Sequence, residues 1–243
     1  MKVCLVQSQS RPGEIDFNIQ NHINLIQVAL QSKPDLIVFP ELSLTGYEPQ
    51  MAEELAFGVE DQRLKPFQDI ADFHKVIVSI GLPIRQFEEV HISAVFFLPG
   101  KDRLLYLKTL LHEDELGFFS EGKNQPLLLD IAKKAAFGIC YESLKRAFYE
   151  KVLENHAEMY IASVAKSIEG VECAYAQFPE IARVYNVPVL MSNCVGNSDD
   201  FVSSGQSAVW NQQGDLMGQL DGESQGLLFY DMQTEEVKII QDL

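Results

Sequence analysis

The sequence predicts an α/β protein in which mixed β-sheet is covered by helices, with strands enough for two stacked sheets. Three features carry that reading. Short apolar runs alternate with longer amphipathic stretches along the whole chain. Strand–helix–strand units are interrupted by hairpins, a pattern of mixed rather than purely parallel pairing. About ten strands stand against four or five helices, more strand than a single helix-covered parallel sheet uses.

Each element has its own signal. Residues 3–6 form an apolar strand. Across residues 15–32, Ile19, Ile23, Ile26 and Leu30 recur at three- and four-residue steps, one face of a helix, and Pro34-Asp35 ends it. Residues 36–39 are a short buried strand. Residues 62–75 read as a helix leading into an apolar strand at 76–81. Runs at 91–98 and 104–108 flank a Pro99-Gly100-Lys101-Asp102 turn and make a hairpin. The second half repeats the style, with strands at 134–139, 159–164 and 187–194 and helices at 143–155 and 173–186. From Gly205 on, three short strands are joined by glycine-rich turns. No low-complexity linker or charge block divides the chain, so one domain over residues 1–243 is expected.

Composition narrows the function. At 243 residues with 47% hydrophobic and 22% charged, the chain can bury a substantial core and is no disordered tail. Its 35 acidic residues against 19 basic ones give a formal charge of −16, which repels phosphate backbones and anionic membranes at long range. Neither nucleic acid nor a membrane is an expected partner. No apolar run approaches the roughly 18–20 residues of a membrane-spanning helix. The opening MKVCLVQSQS turns polar too early for a secretory leader. The cysteines at 4, 140, 173 and 194 lack C-x-x-C spacing, a usage that fits a reducing cytoplasm.

Three places set a reactive side chain at a strand end, where α/β proteins build their sites. Glu41 follows a buried strand and Pro40; desolvation there raises a carboxyl pKa toward a general base, although such a glutamate is as readily a capping or surface residue. Lys108 ends the apolar run 104–107. It needs a carboxylate partner if buried, and otherwise snorkels from an edge strand. Cys140 lies between an apolar strand and a predicted helix start. The helix N-terminus would lower its thiolate pKa and offer N–H groups to an oxyanion; a buried structural cysteine is the plainer alternative. Cys4, Cys173 and Cys194 lack this context and read as core. His112-Glu113-Asp114-Glu115 has no spacing that turns several ligands onto one ion, so no metal is expected. With no glycine-rich phosphate loop either, no cofactor is called for.

In this order and context, Glu41, Lys108 and Cys140 resemble the Glu–Lys–Cys triad of the nitrilase superfamily of carbon–nitrogen hydrolases. The likeness runs along nearly the whole chain. Val3-Cys4-Leu5-Val6-Gln7 resembles the family's first strand, and FPELSLTGY at 39–47 its first glutamate motif. Lys108 with Glu115, Phe119 and Gly122 is similar to the lysine block, and GICYE at 138–142 to the cysteine motif. Asn193-x-x-Gly196, Gly205-x-Ser207 and Asn211-x-x-Gly214 match the late signature. The chain departs from the family pattern in having Glu142 where an aspartate is usual.

The resemblance implies a four-layer α-β-β-α sandwich, two stacked mixed sheets covered by helices, assembled as a homodimer or larger homo-oligomer. It implies that Glu41 acts as base, Cys140 as nucleophile and Lys108 with the Tyr141 backbone N–H as oxyanion holders, with Glu115 orienting Lys108 or the substrate nitrogen. Lys166 falls where the family lines its pocket; it is either a substrate-carboxylate ligand or a solvated loop lysine. The expected activity is hydrolysis of a small amide through a cysteine thioester. An N-carbamoyl-amine hydrolase, a nitrilase, acyl transfer to an amine, and a non-catalytic metabolite-binding protein are the alternatives.

Overall fold

Buried residues alternate along the central strands between two separate cores, and this alternation builds the architecture. The computed structural model describes residues 1–123, 128–131 and 133–243. The first half runs β1 (Lys2–Gln7), α1 (Ile15–Leu30), β2 (Leu36–Val38), α2 (Ala52–Leu55), α3 (Lys65–His74), β3 (Ile77–Gln86), β4 (Glu89–Phe97) and β5 (Leu104–Leu107). The second half runs β6 (Leu128–Asp130), β7 (Lys134–Ile139), α4 (Arg146–Leu153), β8 (Met159–Val164), α5 (Ile168–Tyr185), β9 (Val189–Asn193), β10 (Val195–Ser198) and β11 (Phe201–Ser204). It closes with β12 (Ala208–Trp210), β13 (Leu216–Gln219), β14 (Gly226–Asp231) and β15 (Val237–Gln241).

One sheet has seven strands in the order β15-β14-β1-β2-β3-β4-β5, the other six in the order β13-β12-β9-β8-β7-β6. Each holds a parallel centre, β1-β2-β3 in one and β7-β8-β9 in the other, extended by antiparallel strands. The sheets face each other. Val3, Leu5, Leu36, Val38, Ile92 and Phe96 of the first share a core with Phe137, Ile161 and Met191 of the second. The intervening residues Cys4, Val6, Ile37, Val95 and Phe97 point the other way and pack with Leu25 and Ile26 of α1 and Phe67 and Ala71 of α3. Across the second sheet Ala174, Phe178 and Ala182 of α5 cover its outer face beside Trp210. The result is four layers, as the resemblance implied. Hydroxyls tie the sheets together: Ser192 Oγ donates to the Val6 carbonyl at 2.7 Å and Ser163 Oγ to that of Phe39 at 2.9 Å.

Several expectations are corrected. The strand at 76–81 continues to Gln86 and turns directly into β4, because the polar Arg85-to-Glu89 stretch hides a tight hairpin. The helix expected from residue 173 begins at Ile168, capped by Ser167, whose hydroxyl accepts from the Gly170 N–H at 3.4 Å. Residues 142–144 form one 3₁₀ turn, and α4 starts only at Arg146. The tail past Gly205 holds four strands, and the polar hairpin β10-β11 precedes it. No helix is long and apolar enough to cross a membrane among the described residues.

Candidate active site

Glu41 is carried by a turn that the sheet holds from below. The Phe39 N–H donates to the Ser79 carbonyl at 2.9 Å, and the Leu44 N–H to that of Gly81 at 3.0 Å. Gly81 must lack a side chain: a Cβ there would lie 2.2 Å from the Pro40 carbonyl oxygen and 2.6 Å from the Leu42 nitrogen. From α1, His22 stacks on Phe39 with ring centroids 4.2 Å apart and sits 3.0 Å from Ser43 Oγ. Its Nδ1 is 2.7 Å from the Asn18 carbonyl, which only accepts, so Nδ1 carries the proton and Nε2 accepts from Ser43. Burial pushes the His22 pKa down to about 4, keeping that tautomer neutral.

Lys108, just past β5, is wholly buried, so it does not snorkel. Its ammonium donates to Glu41 Oε1 at 2.8 Å and to Glu115 Oε1 at 2.5 Å. Glu115 stands on a 3₁₀ turn (Glu113–Glu115); its second oxygen accepts from the His112 N–H at 2.7 Å, and Tyr47 Oη lies 3.0 Å from the first. Burial works against the charge on Lys108, but the two carboxylates outweigh it and lift its pKa well above the usual lysine range. Burial raises the Glu41 pKa; Lys108 opposes that rise and Glu115 adds to it.

Cys140 directly follows β7 with a left-handed φ of +45°, a conformation that costs a non-glycine residue energy and marks functional turns. Its N–H is taken by the Ser163 carbonyl at 3.0 Å, and its thiol faces the Ala165 carbonyl at 3.5 Å. The neighbouring Ala165 N–H donates to Glu41 Oε2 at 3.2 Å, so Glu41 and Cys140 share one anchor on the end of β8. Contrary to expectation, the thiol is not activated at rest. Burial is the dominant influence and Glu41 reinforces it, pushing the Cys140 pKa up to about 12 against the pull of Lys166 and Lys108. A single 3₁₀ turn behind Cys140 supplies little of the field expected from a helix N-terminus. No hydrogen bond within the described residues uses the Tyr141 N–H.

The departure Glu142 binds the two halves of this centre. One carboxylate oxygen accepts from the Ile139 N–H at 2.9 Å and from Tyr106 Oη at 2.6 Å. The other accepts from the Thr109 N–H and hydroxyl, each at 2.8 Å, and from the Leu110 N–H at 3.2 Å. The strand end bearing Lys108 is thereby fixed against the strand end bearing Cys140.

Beside Cys140 and Glu115 opens a cavity of about 490 Å³, whose walls also include Tyr47, His112, Tyr141, Lys166 and Phe201, a size suited to a small molecule. All the residues singled out from the sequence, Glu41, Lys108, Glu115, Cys140, Tyr141 and Lys166, are thus drawn to one place. Sequence reasoning missed Tyr47, Ala165 and the clamp role of Glu142. Tyr47 lay inside a quoted motif, but nothing in its spacing pairs it with Asp114 and Glu115. Cys173 is a further correction: it is exposed on α5 and lines the cavity instead of the core. Among the described residues no group of three or more His, Cys, Asp or Glu side chains is placed to share one ion.

Comparison with known proteins gives the family and the fold. The family model described as carbon–nitrogen hydrolase matches residues 2–241. A glutamine-dependent NAD(+) synthetase of Acinetobacter baylyi is 27% identical over 251 residues, covering 97% of this chain and 44% of that protein. The chain therefore spans less than half the length of that relative. A Schizosaccharomyces pombe protein named "Probable nitrilase" is 22% identical over 249 residues, covering 97% of this chain and 90% of its own. Among solved structures, a mutant amidase from Nesterenkonia sp. AN1, with acrylamide joined by Michael addition to its active-site cysteine, superimposes with a TM-score of 0.86. It is 22% identical, covering 96% of this chain and 93% of that one. Another mutant of the same amidase, in complex with butyramide, gives 0.86 at 21% identity, covering 97% and 92%.

Proposed function

The chain belongs to the carbon–nitrogen hydrolase family of the nitrilase superfamily, and from that premise we propose that it hydrolyses a small amide with Cys140 as nucleophile, Glu41 as base and Lys108 as oxyanion holder. The observation that carries this reading is one ammonium held between two buried carboxylates, one of which is anchored with the cysteine thiol on the same residue, Ala165.

The chemistry follows from these groups. The thiol is protonated at neutral pH, so Glu41 removes its proton as sulfur attacks the amide carbon. The carbonyl oxygen gains negative charge, and Lys108, whose ammonium the carboxylates keep charged, stabilises it with the Tyr141 N–H. Glu41 returns the proton to the departing nitrogen, leaving an acyl thioester and ammonia. Glu41 then deprotonates water, which attacks the thioester, releases the acid and restores the thiol. Glu115 and Tyr47 hold Lys108 in place throughout.

Ammonia release from a panel of small amides, including butyramide and glutamine, with matched nitriles and N-carbamoyl compounds, tests the proposal. Wild type should release ammonia from at least one amide, and Cys140→Ala should lose it by more than about 10³-fold. Equal release from Cys140→Ala would remove the nucleophile assignment. Silence across the panel, with Cys140 alkylating no faster than the other three cysteines, would favour a non-catalytic binding protein.

A further inference from the structure

One cation at the cavity has no partner. Lys166 follows β8 directly, is only 7% exposed and forms part of the wall beside Cys140. Among the described residues no hydrogen bond or ion pair reaches its ammonium, whereas Lys108 has two carboxylates. Its position is nonetheless fixed. The Lys166 N–H donates to Asn193 Oδ1 at 2.9 Å, and Asn193 Nδ2 donates to the Gly205 carbonyl at 2.7 Å. The aliphatic stem lies over the first turn of α5, where a Cβ on Gly170 would come within 3.2 Å of Lys166 Cβ and 3.3 Å of its Cγ. The side chain is largely covered while its ammonium opens on the cavity with no anion beside it, which makes this a place suited to negative charge. Of the three acidic residues in the cavity wall, Glu115 is engaged by Lys108 and Asp114 by His112 and Tyr47, while Asp200 is exposed and has no hydrogen bond or ion pair to its carboxylate among the described residues. They would repel an anion from their side and direct it to Lys166.

We infer that Lys166 is the carboxylate-binding residue of the substrate subsite, and that the preferred substrate is an amide bearing a carboxylate, a monoamide of a short dicarboxylic acid. The inference rests on the amidase reading and narrows its substrate class. A neutral amide leaves Lys166 unpaired; an anionic one pairs it while the amide carbon meets Cys140.

Succinamate and butyramide test this, since they differ chiefly by a carboxylate in place of a methyl group. In wild type, kcat/KM for succinamate should exceed that for butyramide by roughly 30- to 100-fold, the worth of one charge-assisted contact. Lys166→Met should bring the ratio near one, and Lys166→Arg should keep most of it. Calorimetry on Cys140→Ala, with and without Lys166→Met, reads the same preference as binding, without turnover. A wild-type ratio at or below one would overturn the inference. So would a Lys166→Met loss equal for both amides, with slower Cys140 alkylation, because that assigns the ammonium to the nucleophile. If neither amide is turned over yet succinamate binds Cys140→Ala through Lys166, the subsite stands and the amidase reading fails.

Discussion

Cys140 meets its substrate as a thiol, so its reactivity depends on Glu41 accepting a proton at the moment of attack. Two consequences belong to these residues. Glu41 works as a base only when ionised, and burial raises its pKa. Activity should therefore fall as pH drops through a value above the ordinary carboxylate range, seen as the acid limb of kcat/KM against pH. Glu41→Gln should lower kcat by roughly 10²- to 10⁴-fold and abolish that limb; an unchanged limb would assign it to another group. Glu142 acts only by positioning. Three of its five partners are backbone N–H groups, which only donate, so Glu142→Gln turns an amide NH₂ against at least one of them. A stability loss of about 2–4 kcal/mol is expected from urea unfolding, with kcat falling more than KM rises and Cys140 alkylating more slowly. A stability loss with kinetics intact would leave Glu142 a purely structural residue.

At the scale of elements, the turn bearing Glu41 depends on β3 beneath it and α1 beside it. Gly81→Ala would drive a methyl into the Pro40–Leu42 backbone. Overpacking typically costs about 1–3 kcal/mol, and contacts this short should place it at or above the upper end. Thermal unfolding should show the loss, together with a disproportionate drop in kcat as Glu41 is displaced. His22 gives the same turn a pH dependence. Its pKa falls from 6.5 when unfolded to about 4 when folded, so the unfolded chain takes up the proton first as pH is lowered. Stability contributed by neutral His22 is present above pH 6.5 and lost toward pH 4, about 3 kcal/mol in all. His22→Gln should flatten the urea-midpoint slope over that window; the same slope in both proteins would exclude His22 as its source. Elements of this kind were partly legible in the sequence. The strands bearing Glu41, Lys108 and Cys140 are unbroken apolar runs because both faces of their sheets are covered. The β10-β11 hairpin was not legible, since its residues are polar and no local period distinguishes it from a loop.

At the scale of the whole molecule, the site forms where the carboxyl ends of β2, β7 and β8 meet across two sheets, with β5 delivering Lys108. Glu41 and Lys108 were legible because each ends an apolar run with a charge that burial does not tolerate unpaired, and Cys140 because it stands at the end of an apolar strand. What links them was not, because Tyr47 to Glu115, Ala165 to Glu41 and Glu142 to Thr109 are contacts between distant segments, set by sheet stacking rather than spacing. The exposure of Cys173 has the same origin: its helix packs Ala174 and Phe178 inward and turns the preceding residue to the cavity. Intact-protein mass spectrometry after brief mixing with the best amide of the panel, followed by peptide mapping, tests the central claim most directly. The account predicts a transient acyl mass on wild type, mapped to Cys140 and absent from Cys140→Ala, decaying as ammonia and acid accumulate. Turnover with no acyl mass at any mixing time, or an acyl group mapped to another residue, would contradict it.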